Sequence, residues 1–118
     1  MLSLPSAVRI WLCTQPTDMR KSFDTLAALV RQGLGQDPLS GSLFVFVGRR
    51  ADRLKILYWD RDGYALWAKR LERGTFRLPA ATDAGVVLTG AELAMLLEGI
   101  ELAGALRRKR LVRPGGNS

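Results

Sequence analysis

Histidine is absent from the 118 residues, and cysteine occurs once, at Cys13. The usual zinc spacings and every His-based triad are thereby excluded, and a single cysteine forms no internal disulfide. Cys13 reads as a small hydrophobe at a strand end rather than a nucleophile, because no histidine exists to activate it. Long hydrophobic runs are missing too. Even the longest unbroken aliphatic or aromatic stretches, Leu43 to Val47 among them, fall far short of the ~20 residues that span a bilayer. With no cationic-then-apolar leader, the expectation is an uncleaved cytoplasmic protein without a membrane partner. Acidic charge is scarce: 11 Asp and Glu stand against 18 Lys and Arg, a formal +7. That balance, with a pI near 10.5, favours a polyanionic partner such as nucleic acid. The lysines are only Lys21, Lys55, Lys69 and Lys109, so arginine supplies the other 14 cations. Its planar fork suits phosphate and carboxylate.

What is present has the composition of a folded domain. The 47% apolar and 25% charged fractions are close to globular averages, and no fixed-period repeat or internal linker divides the chain. Val8 to Leu12 reads as a short strand. From Thr17, the residues Met19, Phe23, Leu26, Ala27, Val30 and Leu34 fall at helical spacing, predicting one amphipathic helix over roughly 18 to 33, capped by Thr17. The period then changes. Leu43 to Val47 and Arg53 to Trp59 predict an antiparallel hairpin, and the Asp60-Arg61-Asp62-Gly63 turn leads into a third strand, Tyr64 to Lys69. Thr75 to Leu78 offers an edge element that Pro79 limits. Val86 to Leu88 predicts a strand, and Thr89 with Glu92 forms a capping-box pattern ahead of a short helix carrying Leu93, Leu96, Leu97 and Ile100. The expected fold is α+β over residues 1–106: an antiparallel β-meander with one long N-terminal amphipathic helix and a short C-terminal helix. Residues 107–118 read as a flexible basic tail.

In order along the chain stand Val8-Arg9-Ile10-Trp11-Leu12, Thr17-Asp18-Met19-Arg20-Lys21-Ser22-Phe23-Asp24 and Asp37-Pro38-Leu39-Ser40-Gly41. Leu43-Phe44-Val45-Phe46 with Arg49-Arg50, Lys55-Ile56-Leu57-Tyr58-Trp59-Asp60, Lys69 to Phe76 and Leu96-Leu97-Glu98-Gly99-Ile100 follow. This series resembles the small accessory protein, called TnpB or the second open reading frame protein, of bacterial insertion sequence 66 family transposons. The resemblance implies a protein that works beside a much larger transposase holding the strand-transfer chemistry, and beside another transposon-encoded accessory protein. It implies no nuclease activity of its own. Ser22 departs from the pattern, standing where a glycine is common, and so does Glu101 to Ala105.

The residues themselves offer little for catalysis. Asp60, Asp62 and Glu72 are the nearest approach to a two-metal carboxylate set, but both aspartates lie in a turn, where they bond backbone. The expectation is no catalytic residue, no metal and no cofactor. For nucleic-acid binding the candidates are Arg49 and Arg50 in the hairpin connection, Arg53 and Lys55 on one strand face with Leu57 and Trp59, and Lys69, Arg70, Arg73 and Arg77 beyond. Tyr58, Trp59, Tyr64 and Trp67 could stack on bases, or fill the core. Arg20 and Lys21 read as cations in the first helical turn, able to hold a phosphate or to pair with Asp24. Arg107, Arg108, Lys109 and Arg110 form a non-specific electrostatic arm or a solvated terminus. The function expected is a non-catalytic accessory factor of DNA transposition that binds transposon-end DNA, the large transposase, or both. The alternatives are a pure protein-interaction subunit and a single-strand or RNA binder.

Overall fold

The computed structural model describes residues 8–81 and 83–99. In chain order its elements are β1 (Ile10–Cys13), α1 (Phe23–Gly33), β2 (Leu43–Val47), β3 (Arg53–Asp60), β4 (Gly63–Arg70), β5 (Gly85–Leu88) and α2 (Gly90–Leu97). All five residues of β2 are buried, which a strand achieves only when both its faces are covered. It occupies the centre of a five-stranded sheet of order β4-β3-β2-β1-β5. Alternation then sorts the side chains into two layers. On one side Phe44, Phe46 and Leu57 meet Leu26, Ala27 and Val30 of α1. On the other, Ile10, Leu12, Val45, Leu54 and Ile56 meet Leu93 and Leu96 of α2, together with Phe76. Each such large apolar side chain contributes about 1.5–3 kcal/mol by leaving water.

The long N-terminal helix and the purely antiparallel sheet are both corrected by this architecture. α1 is an 11-residue helix that starts at Phe23, not a longer one starting at 18. The apolar spacing continues back to Met19, but the backbone of residues 17–21 is committed elsewhere. Thr17 bridges to Gly48, and its N–H donates to Val47 O at 2.8 Å. Lys21 N–H closes a turn onto Asp18 O at 3.1 Å. Ser22 takes the N-cap position, and its N–H donates to Thr25 Oγ1 at 2.9 Å. The sheet is mixed because β1, α1 and β2 form a crossover in which the two strands run parallel, Ile10 opposite Leu43. Antiparallel β5 then closes on β1, with Ile10 opposite Leu88.

Other expectations agree with the structure. β2, β3 and β4 are consecutive antiparallel strands. The capping box of α2 is formed in both directions: Glu92 N–H donates to Thr89 Oγ1 at 3.1 Å and Thr89 N–H to Glu92 Oε1 at 2.8 Å. Thr75 to Leu78 is irregular rather than an edge strand, yet Phe76 is buried and its N–H bonds Ala51 O at 2.6 Å. Ile100 and the segment 107–118 lie outside the described residues.

Candidate nucleic-acid interface

Two loops meet at one end of the sheet. The first, residues 17–20, runs from β1 toward α1, and the second, residues 48–52, joins β2 to β3. Gly48 makes their approach possible: a Cβ there would stand 2.6 Å from Met19 Cγ, closer than nonbonded carbons come. Gly48 N–H donates to Arg53 O at 2.9 Å and Ala51 N–H to Gly48 O at 2.9 Å, with Ala51 held at φ 62°. Between the loops lies a cleft of about 550 Å³ lined by Thr17, Asp18, Met19, Arg20, Gly48, Arg49, Arg50, Asp52 and Arg53.

The cleft unites arginines that the sequence placed 33 positions apart at the extremes, Arg20 and Arg53. Its acids are Asp18 and Asp52. Asp18 is spoken for: Arg20 Nη2 lies 2.6 Å from Asp18 Oδ2, and Arg20 N–H donates to Asp18 Oδ1 at 2.9 Å. The guanidinium hydrogen bond first, then the backbone N–H, hold the Asp18 carboxyl well below the usual carboxylate range, and the charge of Arg49 adds to both. The same contact raises Arg20 above its ordinary value. Arg20 pairs with Asp18 rather than Asp24, and it precedes the helix instead of standing in its first turn. The guanidinium groups of Arg49, Arg50 and Arg53 make no hydrogen bond or ion pair with any described residue.

The remaining sequence candidates are dispersed. Lys55 Nζ donates to Met19 O and Lys21 O, each at 2.8 Å, tying the first loop to β3. Lys69 Nζ donates to Leu97 O at 2.9 Å, where the carbonyl end of α2 favours a cation. Arg70 pairs at 3.2 Å with Glu72, both exposed, an interaction worth about 1 kcal/mol at most. Arg70 also stands directly opposite Arg53, a like-charge pairing that the sheet holds against repulsion. Arg73 and Arg77 are exposed in the irregular segment after β4 and do not line the cleft, nor does Lys21. Arg107, Arg108, Lys109 and Arg110 lie outside the described residues.

Among the described residues no aromatic side chain lines the cleft. Tyr58 and Trp67 pack half-buried on the α2-side core, and Trp59 meets Tyr64 edge to face with ring centroids 5.2 Å apart. Asp60 and Asp62 sit in a tight turn closed by Asp62 N–H to Asp60 O at 2.5 Å, with Arg61 at φ 56°. Among the described residues no three His, Cys, Asp or Glu side chains gather as a metal site, and no helix is long and apolar enough to cross a membrane. Sequence reasoning passed over Gly48, Asp18 and Asp52 as parts of this site. An aspartate two residues before Arg20 was a legible signal, because Asx turns bond the N–H two positions on.

Comparison with known proteins gives these residues a context. The family described as IS66 Orf2-like protein matches residues 8–107, a span that includes every cleft residue. The uncharacterized protein y4hO of Sinorhizobium fredii is 44% identical over 100 residues, covering 83% of this chain and 87% of the relative. The uncharacterized protein y4jC of the same organism is 37% identical over 114 residues, covering 97% of each chain. No solved structure matches the sequence. With a family match across most of its length and two relatives above 30% identity, the chain belongs to the IS66 Orf2-like family.

Proposed function

We propose that this protein is a non-catalytic accessory factor of insertion-sequence transposition that grips the phosphate backbone of DNA in the arginine cleft. Membership of the IS66 Orf2-like family supports the transposition-associated role. The observation that carries the DNA reading is the convergence of Arg49, Arg50 and Arg53, none of them engaged by a described residue, beside Arg20 in one concave surface. Unengaged guanidinium groups at this density repel one another and the paired Arg70. An anion that bridges them removes that cost and accepts forked hydrogen bonds. Asp18 and Asp52 temper the charge, and Asp18 aligns Arg20 through a fixed turn. Phosphate contacts of this kind fix position without reading bases, so preference for transposon ends would come from the large transposase or from DNA shape.

The test replaces Arg49, Arg50 and Arg53 with alanine together. Lys55 stays intact, because its two carbonyl bonds make it part of the fold. Three lost phosphate contacts should lower affinity for terminal-repeat and scrambled DNA alike and reduce the slope of log K against log salt by up to about 2.7. A folded triple variant with the wild-type slope would refute the cleft as the DNA site. Unchanged DNA binding with lost capture of the large transposase would instead assign the cleft to protein docking.

A further inference from the structure

The hydrogen-bonding pattern of β3 determines which groups β4 has left to offer. Gly48 N–H bonds Arg53 O on the β2 side, and Leu71 N–H bonds Asp52 O on the β4 side. Odd residues of β3 therefore turn their backbone groups toward β2 and even ones toward β4. Since Tyr58 pairs with Ala65 and Ile56 with Trp67, residues 63, 65, 67 and 69 spend their groups on β3. Tyr64, Leu66, Ala68 and Arg70 direct theirs away from the sheet. No described strand pairs with that side.

Natural edge strands are blunted by shortness, bulges, proline or central charge. The opposite edge, β5, is four residues long. β4 has eight residues in unbroken register, with no proline and no charge from Tyr64 through Ala68. We propose that this edge pairs antiparallel with β4 of a second copy of the chain, about a two-fold axis at Leu66. An axis perpendicular to the sheet keeps each layer on its own side, so paired positions share parity. With Leu66 opposite itself, Tyr64 faces Ala68 of the second copy and Ala65 faces its Trp67, a large side chain meeting a small one each time. Asp62 falls opposite Arg70 at both ends, an opposite-charge pair made twice. Shifting the axis to Trp67 would set the two tryptophans against each other and place Arg70 opposite Tyr64, losing the charge match. About six main-chain hydrogen bonds close the pair, and because the contact is isologous it consumes both edges and stops at two copies.

The test is sedimentation velocity on the full chain, treated with nuclease to remove nucleic acid, across a concentration series. Wild type should sediment as a dimer that dissociates on dilution. Ala68→Pro removes only an outward-facing N–H and should give a monomer with unchanged circular dichroism. Arg70→Asp should weaken the dimer about tenfold, and adding Asp62→Arg to it should restore wild-type affinity. If Ala68→Pro does not fold, the charge exchange decides. A monomer at every concentration overturns the proposal, as does a dimer indifferent to Arg70→Asp or one that the double exchange fails to restore.

Discussion

Lys55→Met separates a lysine that holds the fold from one that holds DNA. Lys55 Nζ lies 2.8 Å from both Met19 O and Lys21 O, in a partly buried position opposite Phe46 on β2 and Ala68 on β4. Methionine keeps most of the aliphatic stem, so the substitution removes mainly the ammonium. Two carbonyls then lose a charged donor. Hydrogen bonds to charged groups contribute about 1.5–3 kcal/mol each when sequestered, and partial solvent access here lets water replace some of that. A total loss of about 2–3 kcal/mol follows, against a whole-domain stability of about 5–15 kcal/mol. For a body of this size the melting temperature should fall by roughly 10–20 °C, read by circular dichroism or calorimetry. Arg53→Ala, two positions earlier and exposed, should shift it by no more than about 0.5 kcal/mol in equivalent stability. A Lys55→Met protein that melts with wild type yet binds DNA more weakly would refute the assignment and return Lys55 to the interface.

Three further outcomes test the site and its support. Asp18→Asn removes an anion from the cleft and releases Arg20, so DNA affinity should rise in an electrophoretic shift. The depressed Asp18 pKa means that its pairing stabilises the fold above the ordinary carboxylate value of 3.8 and loses that effect as pH falls below it. The melting difference between wild type and Asp18→Asn should accordingly be present at pH 7 and shrink below about pH 4. Phe76→Ala empties a buried site in the irregular segment and should cost about 3–5 kcal/mol in a denaturant titration. An effect below about 1 kcal/mol would show that the segment detaches without loss. Gly48→Ala should destabilise by about 1–3 kcal/mol through its collision with Met19, and the companion Met19→Ala should recover part of the loss.

Local signals were legible wherever a pattern and its partner lay close in sequence. The Thr89–Glu92 box, the Asp60–Gly63 turn and the all-apolar run of β2 each carry their cause within a few residues, and each formed where expected. The start of α1 was misread because Met19 sits on the helical repeat while its neighbours are held by groups distant in sequence. Thr17 answers to Val47, and the carbonyls of Met19 and Lys21 answer to Lys55. Periodicity registers the apolar side chain and says nothing of where the backbone bonds. The parallel pairing of β1 with β2 escaped for a related reason: a strand, a helix and a strand were all visible, but β1 has two edges, one taken by β2 and the other by β5, and only packing assigns each partner.

The basic residues divide by chemistry in a way that composition could not reveal. Lys55 and Lys69 each turn inward to carbonyls, where a compact ammonium with three freely directed protons satisfies acceptors that lack a common plane. Among the described residues the cleft carries arginines and no lysine. A guanidinium is always charged, desolvates at lower cost and donates through a rigid fork, which matches two oxygens of one phosphate better than two unrelated carbonyls. If the cleft serves phosphate, replacing Arg49, Arg50 and Arg53 with lysine should keep the salt slope, since the charge count is unchanged, while lowering affinity at any fixed salt. Equal affinity for the lysine triple variant would mean that charge alone is used there, and that the fork geometry of these arginines plays no part in binding.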